Sequence, residues 1–256
     1  MIGTIERVGA NLIETYLRIG AATGNAIVTQ EQGFILCSSY VEHPIGNFAV
    51  GLDLDPWSSR RLSEIARLKP FFNVYSNPID SPEHRNELLT RAGFSLSYRL
   101  THMVAEPLDE SCECRMQSVP TTRRKEVSDF MASQFFARKP ADFREIVSLA
   151  TVKGEGLELY SREDRNQITG ALMLSEAGRI LGGYNLCVAS SVRRRGIGSL
   201  LTRFLREEAG RRGLSAAIQC ESHLEPFYLS QGFERCGFVD VFTLAGSRDA
   251  AIIDAR

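Results

Sequence analysis

The stretch that most constrains this chain spans residues 186–201 and reads LCVASSVRRRGIGSLL. Its apolar start gives way to small polar residues, and Gly196 and Gly198 then interrupt the pattern one residue apart. Beyond the glycines, apolar side chains recur at helical spacing. These are Leu200, Leu201, Phe204, Leu205 and Ala209. The pattern predicts a strand, a tight loop and an amphipathic helix.

Three consecutive arginines, Arg193, Arg194 and Arg195, directly precede the predicted helix. A cation at a helix N-terminus costs a few tenths to about 1 kcal/mol, because the helix dipole is already positive there. The arrangement therefore makes sense if an anion occupies the site, and the two glycines let backbone N–H groups approach a phosphate. The alternative is a solvated basic turn, but the order of strand, arginines, glycines and helix favours a phosphate site.

Composition excludes several broad classes of protein. The chain has 256 residues, of which 43% are hydrophobic, so it can bury the core of one large or two small domains. Its 30 basic and 31 acidic residues nearly balance. No global field draws it to nucleic acid or to an anionic membrane. Because we find neither a secretion signal nor a membrane-spanning apolar run, we expect a cytoplasmic protein with no nucleic-acid or membrane partner.

Cysteine and histidine spacing shows no metal signature. Only two of the six cysteines, Cys112 and Cys114, are close together, and no second pair matches them. The four histidines are also scattered along the chain. We therefore expect reduced thiols and no metal site.

Hydrophobic periodicity predicts similar blocks of strands and helices in the two halves of the chain. Each block runs strand, helix, strand, helix and ends in Gly-Phe before a final strand. Val50 and Phe94 are 44 positions apart, and Val188 and Phe233 are 45 apart. An internal repeat follows from this match, although two short Gly-Phe pairs could coincide by chance. We predict one domain over residues 1–105, a linker over 106–114 and a second domain over 115–256.

Residues 193–198 resemble the central motif of the GNAT superfamily of N-acetyltransferases, in which Arg or Gln, two residues, Gly, one residue and Gly or Ala bind the pyrophosphate of acetyl-CoA. The family often adds a Tyr on the next helix, followed after three intervening residues by Gly-Phe, and this chain has Tyr228 and Gly232-Phe233. The resemblance covers roughly residues 115–245. It departs at Glu221, where the family often has Asn.

The resemblance implies an α/β (α+β) fold of two GNAT-like domains, each a mixed, mostly antiparallel twisted sheet flanked by helices. It implies that acetyl-CoA (coenzyme A) binds the second domain and that an acetyl group passes directly to a primary amine of a small-molecule or peptide acceptor. Tyr228 would be the catalytic acid. The cofactor-binding residues would be Leu186, Cys187, Val188, Arg193, Arg194, Arg195, Gly196, Ile197, Gly198 and Ser199. In such a fold residues 121–150 and 161–167 supply the acceptor site.

The sequence leaves open the role of Tyr228 and the identity of the catalytic base. Tyr228 stands beside Phe227 on a short helix, where an aromatic side chain is often only part of the core. The base that deprotonates the amine is not identified, although His223 and Glu221 lie near the end of the strand where the acetyl group is expected. A non-catalytic acyl-CoA sensor or interaction module is the main alternative to an enzyme. A nucleic-acid binder is disfavoured by the balanced charge.

The first half lacks the features that would bind a cofactor. At the position equivalent to the arginines and glycines it reads DLDPWSSR over residues 53–60. Asp55 is a natural N-cap, Pro56 removes a backbone donor, and Trp57 is expected to fill space. We infer a degenerate GNAT-like domain that does not bind coenzyme A. It would wall the acceptor pocket or replace a dimer partner, so we expect a monomer (an internal pseudo-dimer) or a homodimer.

Overall fold

The computed structural model describes residues 3–76, 82–109 and 116–245. It confirms the α/β class. The described helices are α1 (Thr4–Ala21), α2 (Pro56–Arg67), α3 (Pro82–Arg91), α4 (Arg124–Phe135), α5 (Ala141–Lys153), α6 (Ile197–Arg212) and α7 (Glu225–Ser230). The described strands are β1 (Ile27–Glu31), β2 (Phe34–Ser38), β3 (Asn47–Val50), β4 (Asn73–Ser76), β5 (Phe94–Ala105), β6 (Gln117–Ser118), β7 (Leu157–Asp164), β8 (Gln167–Ala177), β9 (Ile180–Val188), β10 (Ser215–Cys220) and β11 (Glu234–Leu244).

All eleven described strands form one continuous sheet. Their order is β1-β2-β3-β4-β11-β5-β10-β9-β8-β7-β6. Neighbouring strands are antiparallel except for β3 with β4 and β9 with β10, which are parallel. Helix α2 connects the first parallel pair and α6 connects the second. The internal repeat is thus visible in the topology, because each half contains a parallel pair, a crossover helix, a second helix and a final strand.

The final strand of each half is inserted into the other half. Strand β5 from the first half lies between β10 and β11, with Met103 opposite Ile218. Strand β11 from the second half lies between β5 and β4, with Val241 opposite Tyr75. We expected a separate sheet in each half, but the halves share one. Each half has a single strand after its last helix, and that strand pairs antiparallel with strands of the other half.

Helices cover both faces of the second half of the sheet. Alternate residues of β8 point to opposite faces, as the pleat of a strand requires. Leu172 and Leu174 pack with the apolar side of α6. Met173 packs instead with Val127 and Met131 of α4. The site described below therefore lies in a sheet with a close-packed layer on each side.

Helix α1 belongs to the first half but is bonded to the second. The buried Asn11 side chain donates from Nδ2 to the carbonyls of Ser175 at 2.9 Å and Ile180 at 3.1 Å. Its Oδ1 accepts from the Tyr184 hydroxyl at 2.7 Å. Leaving a buried donor or acceptor without a hydrogen bond costs about 1–3 kcal/mol, so these bonds fix the position of α1 on the second half.

The predicted linker is described only over residues 106–109. There the Arg206 Nε donates to the Glu106 carbonyl at 3.0 Å, and the Leu108 N–H donates to the Arg206 carbonyl at 3.1 Å. The chain leaving β5 is therefore held against α6. The remaining linker residues, 110–114, lie outside the described part of the chain.

The shared sheet predicts that the second half cannot fold alone as a monomer. A chain of residues 115–256 would expose the edge of β10 and deprive β11 of both neighbours, and unpaired edges promote association. We expect oligomers or aggregates by size-exclusion chromatography, and recovery of soluble protein on coexpression with residues 1–114. A monomeric 115–256 chain with cooperative unfolding would contradict this and would support independent domains.

A buried histidine in β5 makes the stability of the shared sheet depend on pH. His102 is fully buried opposite Gln219 of β10 and Gly237 of β11, and neither ring nitrogen has a hydrogen-bond partner among the described residues. Burial lowers the pKa of His102 to about 3. Between that value and the ordinary histidine pKa the unfolded chain binds a proton that the folded chain does not. Stability is therefore lost as pH falls through this window.

We expect His102→Leu to flatten this pH dependence. Each such histidine contributes a slope of about 1.4 kcal/mol per pH unit, so the variant should lose roughly that slope between about pH 6 and pH 4. Urea unfolding at several pH values measures it, with the exposed His84→Leu as the matched control. An unchanged slope in His102→Leu would show that His102 is protonated in the folded protein.

Candidate functional site

The two parallel strands of the second half separate at one end. Strands β9 and β10 pair from Ile180 opposite Ser215 to Gly183 opposite Ile218, and both continue beyond that point. A bulge in β9 marks the separation, because three steps along β9 match two along β8 and Asn185 has a φ of 50°. The last residues of β9 therefore turn away from β10 and leave their backbone groups on that side available.

A loop of exposed arginines follows β9 and opens α6. Arg194 has a φ of 62° and Gly196, the N-cap residue of α6, a φ of 80°, so the chain turns sharply twice. No side chain of the described residues caps this helix. Arg193 Nε donates to the Val188 carbonyl at 3.3 Å, and neither Arg194 nor Arg195 forms an ion pair with any residue that the structure describes. The loop concentrates positive charge beside free backbone donors.

These features fit the pyrophosphate of a nucleotide-containing ligand. A Cβ built on Gly196 would meet nothing within 4 Å, so the space in front of the helix is open. A Cβ on Gly198 would lie 3.3 Å from the Phe227 ring, so a larger residue there would narrow the approach. Free N–H groups, the helix dipole and guanidinium groups are the donors that a phosphate prefers.

The equivalent helix of the first half is closed by its own side chains. The Asp55 Oδ1 accepts from the Ser58 N–H at 2.6 Å and from the Ser58 Oγ at 2.9 Å. The Ser58 N–H is also the main cause of the lowered pKa of Asp55. Trp57, which we expected to fill space, is 56% exposed. The cap, rather than the tryptophan, therefore makes the start of α2 unavailable to a phosphate.

Tyr228 belongs both to the core and to a cavity wall. Its exposed fraction is 6%, and its ring makes edge contacts with Phe227 and Phe233 at centroid distances of 5.0 and 5.9 Å. It also lines the cavity at the separated strands. Burial raises the pKa of Tyr228, and the nearby Cys220 raises it further. The hydroxyl consequently keeps its proton at neutral pH.

The cavity has a volume of about 230 Å³ and lies between the two halves. Leu186 and Tyr228 line it, as do Phe135, Phe136 and Val147 from the region expected to bind an acceptor. Residues 161–167, expected there as well, do not line it, because they form the far end of the β7–β8 hairpin. The first half contributes a complete wall that the sequence did not reveal in detail: Tyr16, Ile19, Ile45, Phe48, Tyr75, Tyr98 and Leu100.

Of the remaining predicted residues, Glu221 lines this cavity, whereas Cys187, Val188 and His223 do not. Cys187 is buried on the opposite face from Leu186, and burial raises its pKa to about 12. Val188 is half-buried just before the arginine loop. Glu221 lines the cavity and pairs with His223, whose Nδ1 lies 3.2 Å from the Glu221 Oε2. His223 itself is directed to solvent, with 57% of its side chain exposed.

In residues 3–76, 82–109 and 116–245, no group of three or more His, Cys, Asp and Glu side chains is placed to hold a metal ion. None of the helices in these ranges is long and apolar enough to cross a membrane.

The separated parallel strands, the glycine-rich helix start and the cavity beside them form an α/β domain whose helix start fits a phosphate-containing ligand. Residues 155–235 match the family model described as the acetyltransferase (GNAT) domain. The second half of the chain therefore contains a GNAT domain, which confirms the family predicted from the arginine loop. Among curated proteins, no sequence matches the chain.

Solved structures share the fold across both halves. The GCN5-related N-acetyltransferase from Kribbella flavida is similar with a TM-score of 0.71 and 14% identity, over 98% of this chain and 99% of that one. An acetyltransferase of the GNAT family from Novosphingobium aromaticivorans is similar with a TM-score of 0.60 and 12% identity, over 93% of this chain and 99% of that one. A GCN5-related N-acetyltransferase from Sphaerobacter thermophilus is similar with a TM-score of 0.54 and 16% identity, over 92% of this chain and 90% of that one.

A substitution pair at the start of α6 tests the phosphate site. Gly196→Asp puts a carboxylate at the N-cap position, as Asp55 does in α2, and we expect it to weaken coenzyme A binding about 100-fold or more by charge repulsion. Gly196→Asn is uncharged, has the same size and also tolerates the left-handed conformation. We expect it to cost about tenfold or less. Isothermal titration calorimetry with coenzyme A measures the affinity of both variants. Equal affinities would show that coenzyme A does not bind at the start of α6.

Proposed function

We propose that the chain is an N-acetyltransferase that moves an acetyl group from acetyl-CoA to the primary amine of an acceptor. One observation carries the proposal: an uncapped, arginine-flanked helix start adjoins separated strands, and a buried tyrosine faces the cavity at their opening. Membership of the GNAT family supports acyl transfer in general. The acetyl donor and the amine acceptor are our inference.

The residues of the second half divide into two groups by role. Arg193, Arg194 and Arg195 with the N–H groups of residues 196–199 would hold the pyrophosphate. Leu186, Cys187 and Val188 would pair their free backbone groups with the amides of the pantetheine arm, as an added strand does. When bound, acetyl-CoA supplies an acyl carbon activated as a thioester.

Tyr228 would act as the acid of the reaction. In the transfer, the amine nitrogen bonds to the acyl carbon and the bond from that carbon to sulfur breaks. Tyr228 Oη gives its proton to the departing sulfur, and the proton released by the amine nitrogen passes to solvent, from which Tyr228 is reprotonated. Because burial raises the pKa of Tyr228, its hydroxyl is protonated before the sulfur leaves.

The proposal extends to location and assembly. Four described cysteines, Cys37, Cys187, Cys220 and Cys236, are free thiols, which is in keeping with a reducing cytoplasm. The strand exchange supports a monomer in which one half takes the place of a dimer partner, and a homodimer of such chains is the alternative. We propose no nucleic-acid or membrane partner, since the charge of the chain is balanced.

Replacing Tyr228 with phenylalanine tests its role as the acid. We expect kcat to fall about 100-fold, the lower end of the usual range for a general acid, while the Kd of coenzyme A changes less than about threefold. Release of coenzyme A in the presence of a panel of primary amines measures turnover. The matched control is Tyr160→Phe, which removes a hydroxyl bonded to Glu158 outside the cavity.

The same experiment separates an enzyme from a binding protein. Tight binding of acetyl-CoA with no transfer to any amine, and no effect of Tyr228→Phe on slow thioester hydrolysis, would identify a non-catalytic acyl-CoA sensor. Transfer that is unaffected by Tyr228→Phe would leave the enzyme assignment standing and remove Tyr228 as the acid.

A further inference from the structure

The cavity between the halves is a candidate acceptor site because of where it lies. Tyr228 and Leu186 form one wall, next to the opening of β9 and β10, and the opposite wall comes from the first half. Tyr16 and Ile19 of α1 belong to that opposite wall. A molecule in this cavity would therefore be enclosed by both halves and would lie beside the proposed acid.

Most of the side chains that line this cavity are aromatic or apolar. Tyr16 and Tyr75 meet edge to face with ring centroids 4.7 Å apart, and Phe48 adds a third ring 5.7 Å from Tyr75. Burial raises the pKa of Tyr75 to about 12 and that of Tyr16 well above its ordinary value, so both hydroxyls stay neutral. Such walls favour a flat apolar group, which gains from burial and from edge contacts.

Charge on the lining has one sign. Among the described residues that line the cavity, Glu221 is the only carboxylate and no lysine or arginine is present. Phe135 and Leu224 of the same lining are 37% and 41% exposed, so they lie at the mouth. A carboxylate together with aromatic faces attracts an ammonium group, whereas an acceptor that carries its own carboxylate would find no cation.

The size of the cavity limits the occupant. A cavity of about 150 Å³ holds a benzene ring. The 230 Å³ found here accommodates one ring and a short chain. A polyamine or an aminoglycoside would leave many polar groups unpaired against these walls, which is costly.

We propose that the acceptor is a small primary amine with one aromatic or compact apolar body, bound with its body against the first half and its ammonium group near Glu221. The transfer to this amine rests on the proposed function, whereas binding of the amine does not. The main competing occupant is a long acyl chain on the donor. The carboxylate and the tyrosine hydroxyls favour the amine, because an acyl chain gains nothing from either.

A panel of four amines tests the substrate class. We expect kcat/KM for 2-phenylethylamine to exceed that for ethanolamine about 100-fold, from burial of the ring. Phenylalanine has the same ring with an added carboxylate and should react at least about tenfold more slowly than 2-phenylethylamine, since the lining offers that carboxylate no cation. Equal or better activity with ethanolamine or spermidine would overturn the proposal while leaving the transferase assignment intact.

Binding must be measured separately from transfer. Calorimetry of 2-phenylethylamine with the full chain, with and without coenzyme A, reports the cavity even if no acetyl group moves. Binding without transfer would contradict the proposed function but would support the amine site. Conversely, if hexanoyl-CoA acylates ethanolamine faster than acetyl-CoA does, the cavity holds the acyl chain and the amine proposal fails.

Variants on opposite walls identify the binding residues. Glu221→Gln should raise KM for 2-phenylethylamine about tenfold, and the exposed Glu234→Gln on β11 is the control. Ile19→Trp should fill the cavity and block 2-phenylethylamine, whereas Ile19→Ala should enlarge it and favour 2-(1-naphthyl)ethylamine. Because these two changes act in opposite directions, a general loss of folding cannot mimic the result. Unchanged preference in both would exclude the first half from the site.

Discussion

The exchange of final strands is the interaction on which the rest of the structure depends. Strand β5 supplies the partner that β10 lacks in its own half, and β11 does the same for β4. Without this exchange, each half would present an unpaired strand edge to solvent. Because β5 also carries Tyr98 and Leu100 to the cavity, the pairing that completes the sheet brings the first half to the site.

Equivalent helices of the two halves show how a binding position is kept or lost. Both α2 and α6 connect parallel neighbours in the sheet, so both begin at the same place in the architecture. In α2 the Asp55 carboxylate accepts a backbone N–H of the first turn. In α6 that position is Gly196, with no side-chain cap and three exposed arginines before it. The same donors are satisfied internally in one half and left for a ligand in the other.

The first half nevertheless contributes to the chemistry proposed for the second. Helix α1 is held on the second half by Asn11, and this contact carries Tyr16 and Ile19 to the cavity. Strands β4 and β5 add Tyr75 and Tyr98. A half that lacks a phosphate site can therefore still determine which acceptor fits, since apolar shape and local charge do not require the glycine-rich loop.

Local pattern predicted most elements closely. Periodicity predicts a strand over residues 180–188 and helices over residues 5–22, 57–68 and 81–91. The observed β9, α1, α2 and α3 begin and end within one residue of these bounds, because apolar periodicity and capping residues act over a few neighbours. The same periodicity places the start of the last strand near residue 238, whereas β11 begins at Glu234, because its first residues pair with β5 of the other half.

The sequence by itself predicted the GNAT domain, the arginine and glycine loop, the repeat and the closed start of α2, all of which depend on residues close together in the chain. Only the tertiary structure decided that the halves share one sheet, that Tyr228 faces a cavity as well as the core, and that first-half aromatics line it. Strand order and cavity walls join residues more than 100 positions apart, such as Asn11 with Tyr184. No local pattern specifies such pairs, because they form only when the whole sheet closes.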